Sequence, residues 1–123
     1  MSGQATATQA VSNGVEAEAL VGHMADTMDA LLGIVEEETA LVRAGRLAEA
    51  SKLEPSKQEL SQLYVADMAR LKASADYLAQ TMPDVLAALR KRHELFHALL
   101  QVNLTVLATA HAVSESKIGR AHV

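Results

Sequence analysis

From Val15 onward apolar residues recur at intervals of three and four, which on a 3.6-residue turn gathers them on one face. Val21, Met24, Met28, Leu31, Val35 and Val42 form the seam, with Leu20, Ile34 and Leu41 beside it. The pattern predicts one long amphipathic helix ending near Ala44, because Gly45 suits the left-handed position after a helix and Arg43 complements the carbonyl end. A second pattern runs through Leu47, Leu53, Leu60, Tyr64, Leu71 and Leu78 to about Gln80. Pro55 interrupts it. A proline inside a helix removes a hydrogen bond and clashes with the preceding turn, so a kink or a short separate helix is expected before it. The third pattern starts near Pro83, a residue tolerated at the first helical position, and continues through Leu86, Leu89, Phe96, Leu100, Leu107 and Ala110 to about Val113.

No stretch alternates with period two, and the connections between the helical patterns are short enough to make neighbours antiparallel. The expected fold is therefore all-α, an up-down-up antiparallel bundle of three long helices over residues 15–113. A disordered polar arm, residues 1–14, is expected before it and a flexible tail, residues 114–123, after it. The segment from Lys117 to Val123 reads as the translation of a widely used sequencing adapter, so 117–123 is expected to be non-native and the natural chain to continue beyond about Ser116.

Three polar residues fall where the seams require apolar ones. On helical wheels Glu38 shares the angle of Leu20, Lys57 lies between Tyr64 and Met68, and Asn103 lies between Leu99 and Leu100. Measured from the two turns, all three sit within roughly 10 Å of one another along the bundle axis, so they are expected to form one polar layer. Buried charge is costly unless paired, and such a layer serves register or recognition more than stability. The competing expectation has Lys57 reaching solvent and Glu38 at the rim of a groove. The third helix also carries more apolar surface than a bundle position needs. Leu95, Phe96, Leu99, Leu100, Val102, Leu104, Val106 and Leu107 spread over about 200°, against roughly 100° for an ordinary surface helix. Either that helix is central or forms a homodimer seam, or it offers a docking face for a partner helix.

Composition narrows the chemistry. The 123 residues are 50 % apolar but include only two Tyr, one Phe and no Trp, so the core is aliphatic. There is no Cys, which excludes disulfides, thiolate metal sites and cysteine nucleophiles and agrees with a reducing compartment. A net charge of −4, with Arg90-Lys91-Arg92 as the only basic run, argues against nucleic acid as a partner. The N-terminal stretch has no signal-peptide character, and the apolar run around Leu99 to Val113 is broken by Gln101, Asn103, two Thr and His111. The sequence thus reads as cytoplasmic, without membrane insertion.

His93-Glu94-Leu95-Phe96-His97 matches the H-E-x-x-H pattern of zinc hydrolases. The candidates for a third ligand, His111 and Glu115, follow on the same helix about 21 to 27 Å beyond His97, too far to share a metal. Arg90 and Lys91 beside His93 give only a faint echo of a histidine-phosphotransfer site, and no phosphate-binding glycine loop or Ser/His/Asp set is present. No enzyme, catalytic residue, metal or cofactor is expected.

The order Glu-Glu-Glu-x-x-Leu at Glu36 to Leu41, then Gly45, the Leu-x-x-x-Lys of Leu53 and Lys57, and Asn103 late in a third helix resembles the flagellar FlgN-type export chaperones, over about Leu20 to Val113. The resemblance implies a cytoplasmic chaperone that keeps the hook-associated proteins FlgK and FlgL soluble and delivers them to the flagellar type III export apparatus. It implies that the amphipathic C-terminal segment of the client packs on the chaperone's C-terminal helical region. On that reading Leu95, Leu99, Val102 and Val106 are expected to contact the client, and Glu38, Lys57 and Asn103 to set the bundle. The chain is expected to be a monomer or weak homodimer; the alternative is a self-associating structural or regulatory helical protein.

Overall fold

The computed structural model describes residues 10–121, with side chains described as far as Val113. They form five helices: α1 (Gly14–Arg43), α2 (Leu47–Ser51), α3 (Glu54–Ala73), α4 (Ala75–Thr81) and α5 (Pro83–Ala121). No strand occurs among the described residues.

Local chemistry sets each boundary. The Asn13 side chain accepts from the Glu16 amide at 2.9 Å, while Glu16 Oε1 accepts from the Ser12 amide and hydroxyl at 2.8 and 2.9 Å, so the exposed first turn of α1 is capped from both sides. Those donated bonds hold the Glu16 carboxyl below its ordinary pKa. At the other end Gly45 takes φ +78°, and the Gly45 and Arg46 amides return to Val42 O and Leu41 O at 3.0 and 2.9 Å. This paired closure needs a residue free to adopt positive φ.

The second helical pattern is divided twice. Pro55 falls in the first turn of α3, where its missing N–H costs nothing, and the chain before it folds into the single-turn α2. Leu47, expected in the seam, is instead exposed at the start of α2 because the reversal at Gly45 swings it outward. The second division is at Ser74. Its hydroxyl donates to Arg70 O at 2.8 Å and accepts from the Val11 amide at 2.9 Å, at the one residue, φ −104° and ψ 5°, where the helix breaks between α3 and α4.

That bond corrects the expectation of a free arm through residue 14. Val11 is only 5 % exposed and packs with Ala17, Leu20, Met24, Leu78, Leu86 and Leu89, so order begins before the helix does. The part of the expected arm at residues 1–9 lies outside the described residues. The tail expectation also changes: α5 does not stop near Val113 but continues to Ala121. The side chains of residues 114–123, including the expected non-native 117–123, lie outside the description.

α1 is the hub. It packs against α5, α3 and α2, whereas α4 packs mainly on α5. Its buried positions include Leu20, Met24, Met28, Leu31, Val35 and Val42. A first apolar cluster surrounds Met24, Leu78, Leu86 and Leu89, and a second gathers Met28, Leu31, Val35, Tyr64 and Phe96. Each large side chain buried this way contributes about 1.5 to 3 kcal/mol of transfer free energy.

The Ser74 joint is open to test by denaturant unfolding. Ser74→Ala strands the buried Val11 amide and should destabilise the chain by about 1 to 3 kcal/mol. Pro55→Ala, in a first helical turn, should change stability by less than about 0.5 kcal/mol.

Candidate functional site

Below the second apolar cluster the bundle axis turns polar. Lys57 Nζ donates to Glu38 Oε1 at 2.7 Å and to Asn103 Oδ1 at 3.2 Å, so α3 reaches both other long helices through one ammonium. Asn103 Nδ2 donates to Glu38 Oε1 at 3.0 Å and to Thr39 Oγ1 at 2.9 Å. Thr39 in turn donates to Val35 O at 2.8 Å. The Asn103 amide has one orientation that suits this site, with its oxygen toward the ammonium and its nitrogen toward the carboxylate. The side chains of Lys57 and Glu38 are 14 % and 5 % exposed, so the lysine does not reach out to water. Glu38, Lys57 and Asn103, each singled out by its place on a seam, are brought together; Thr39 joins them unannounced.

The polar layer separates two faces of α5. Leu86, Leu89, Phe96 and Asn103, with half-buried His93 and Leu100 between them and Leu107 beyond, form an inner stripe against α1. A second stripe, displaced by about 100° around the helix, runs Leu95, Leu99, Val102, Val106, Thr109, Val113 with spacing four, three, four, three, four. Leu95, Val102 and Val113 are 62 %, 45 % and 50 % exposed.

The outer stripe lines a groove between α1 and α5. One depression, about 210 Å³, is bounded by Val35, Glu36, Thr39, Ala40, Leu99 and Val102. A larger one, about 520 Å³, is bounded by Val42, Gly45, Leu47, Val106, Thr109 and Val113. Arg43 borders both. Of the four residues expected to meet a partner, Leu99 and Val102 line the first depression and Val106 the second. Leu95 lies one turn farther along the same stripe and lines neither. Arg43, Thr109 and Val113 were not singled out beforehand, although the three-four spacing beyond Val106 leads to the last two.

Of the two histidines of H-E-x-x-H, His93 is half-buried and His97 is exposed. Tyr64 Oη and His93 Nδ1 are hydrogen-bonded, Tyr64 also leans on Phe96, and the His93 and His97 rings stack with centroids 6.3 Å apart. Among the described residues no group of three His, Asp or Glu is placed to hold a metal. Elsewhere His23 Nδ1 donates to Asp67 Oδ2 at 2.6 Å, tying α1 to α3, and Arg92 pairs with Asp29 across α5 and α1. Burial pushes the Tyr64 phenol above its ordinary pKa.

An 18-residue window within Pro83–Val113 reaches a mean hydropathy of 1.3, so this helix is long and apolar enough to cross a membrane by those two measures alone. The same helix supplies Leu86, Leu89, Phe96 and Asn103 to the interior.

The all-helical fold, the buried polar layer and the open groove define the chain by its structure alone. It matches no protein-family model, no curated protein and no solved structure.

Lys57→Met leaves a buried carboxylate without its cation and should cost about 3 to 5 kcal/mol in urea unfolding. Replacing the layer together, Glu38→Leu with Lys57→Met and Asn103→Leu, should recover most of that loss. Tyr64 makes a separate prediction. Its folded pKa lies above the unfolded value near 10.0, so its contribution is intact below pH 10 and fades as pH climbs through the folded value. Stability measured across that range should fall more steeply for the wild type than for Tyr64→Phe.

Proposed function

We propose that this chain is a cytoplasmic export chaperone of the FlgN type, which lays the amphipathic helical C-terminal segment of a hook-associated protein of the FlgK or FlgL class along the α1/α5 groove. The outer stripe of α5 carries this reading: three of its apolar side chains are about half exposed or more, at the spacing of a helix seam. A two-rail groove of this kind suits helix-in-groove recognition, in which anchors at three-four spacing enter between two parallel ridges.

The three long segments are read as an up-down-up bundle. Contacting residues of α1 and α5 keep a sequence separation of 63 to 68, from Asp29–Arg92 to Val35–Asn103, so the two helices advance together. Between α1 and α3 the separation shrinks from 44 at His23–Asp67 to 19 at Glu38–Lys57, so these run oppositely. The groove therefore lies between parallel rods with the antiparallel rod on their far side.

The chain's own residues prepare the groove before a client arrives. Asn103 and Glu38 hold α5 to α1 at one height, so the rails need not be ordered on binding and more of the contact free energy appears as affinity. The same network speaks against membrane insertion, because moving α5 into a bilayer would tear the Asn103 amide from Glu38, Lys57 and Thr39 and carry it into hydrocarbon without those partners. Nucleic acid fits poorly too, since Arg92 of the only basic run is already paired with Asp29. No cofactor enters the proposed role, and the client would be released on delivery to the export apparatus.

Leu99→Asp combined with Val106→Asp tests the reading. Calorimetric titration with the C-terminal segment of a hook-associated protein should show a one-to-one complex with the wild type and at least about a hundredfold weaker binding with the variant. Far-UV circular dichroism should be unchanged. Equal binding by the two proteins would overturn the proposal.

A further inference from the structure

We infer that, with no client present, a second copy of the chain covers the α1/α5 groove in an antiparallel two-fold dimer. A closed two-fold contact must be self-complementary, with every residue facing its symmetry mate's counterpart at equal distance from the axis. This face has that property twice over.

On α5 the outer stripe is a palindrome in spacing. Positions 95, 99, 102, 106, 109 and 113 are symmetric about position 104, so antiparallel packing sets Leu95 against Val113, Leu99 against Thr109 and Val102 against Val106 of the second copy. On α1 the two charged residues bordering the groove are opposite in sign, Glu36 and Arg43, and their midpoint falls between Thr39 and Ala40. An axis there sets Glu36 against Arg43 of the second copy, and Arg43 against Glu36, with exposed Ala40 small enough at the centre to let the helices approach.

The two midpoints need to lie at one height for a single axis to serve both helices. They do, to within about one helical turn: Asn103 is hydrogen-bonded to Thr39 at 2.9 Å and to Val35 O, one turn away, at 3.4 Å, which sets the centre of the α5 pattern beside the centre of the α1 pattern. With the axis in the interface plane and perpendicular to the rods, α1 faces α1 and α5 faces α5, the pairing both patterns require. The three-four spacing on α5 suits any amphipathic helix; the crossed Glu36 and Arg43 pairs on α1 are what select a second copy of this chain.

The face between Leu95 and Val113 is about 27 Å long and two helices, about 18 Å, wide, giving on the order of 500 Å² per copy, the size class of transient complexes. The dimer is thus reversible, and any client of the proposed kind competes with it for the same surface.

Sedimentation equilibrium of the full chain alone, over a dilution series, tests this. The mass should rise from 13.1 kDa toward twice that value with concentration. Glu36→Arg, which sets like charges together at both symmetry-related ends, should weaken association at least about tenfold, and so should Arg43→Glu. Glu36→Arg combined with Arg43→Glu should restore it, and Val102→Asp beside the axis should abolish it. All three sites are exposed, and circular dichroism reports whether each of the four variants stays folded. A wild type that remains monomeric throughout overturns the inference, as does a dimer indifferent to the charge exchange. Since no client is present, either result leaves the client-binding proposal to its own experiment.

Discussion

The contact on which the rest of the molecule depends is the ammonium of Lys57 held between Glu38 and Asn103. Three rods with apolar seams at three-four spacing can slide by a heptad and still present apolar faces to one another, because leucines and valines discriminate poorly among their own kind. A charged group cannot slide. Displaced by one turn, Lys57 or Glu38 would meet side chains with no hydrogen bond to offer, at a cost of several kcal/mol. The layer thus sets the height of all three long helices at one level, and every groove between them inherits that alignment.

Much of this architecture is legible in the chain. Gly45 marks the end of α1 because only a residue tolerant of positive φ closes that paired turn, and Pro55 marks the start of α3 because a first turn can do without one N–H. The polar layer is legible for a sharper reason: a lysine, a glutamate and an asparagine on three apolar seams violate the pattern, and their heights agree. What escapes notice depends on tertiary partners. Ser74 looks like any helical serine until the Val11 amide donates to it, and Val11, a lone branched aliphatic in a stretch of small and polar residues, has no periodic partner to place it in the core. The Asn13-x-x-Glu16 spacing was the available signal for an ordered start to α1. Thr39 escapes as well, since a threonine beside a seam commonly bonds its own backbone, and here it does so while also accepting from Asn103.

The surplus apolar arc of α5 resolves into two stripes of different character. The inner stripe holds bulky Leu86, Leu89 and Phe96 and runs through Asn103 to Leu107; the outer holds Val102, Val106, Thr109 and Val113, smaller and β-branched, with Leu95 and Leu99 toward one end. A permanent core favours the first composition, because large side chains bury more area per position. A surface that is covered and uncovered favours the second. Its side chains lose little rotamer freedom on contact, and each exposes less apolar area when alone. Glu36 and Arg43 on the α1 rim keep that surface from being apolar throughout, which limits indiscriminate association.

The same asparagine explains why the two stripes do not exchange places. A rotation of α5 by about 100° would turn Leu95, Leu99, Val102 and Val106 inward and bring the inner stripe to the surface, and by area alone the exchange is cheap, since both stripes are apolar and share one spacing. It would, however, set Val102 at the level of Glu38 and Lys57, removing two hydrogen bonds from the carboxylate and the ammonium and stranding Thr39 Oγ1 without its donor. Partly satisfied buried networks are worse than none. A single amide in the inner stripe therefore decides which half of an otherwise ambiguous helix faces the core, and by exclusion which half remains open to a visitor.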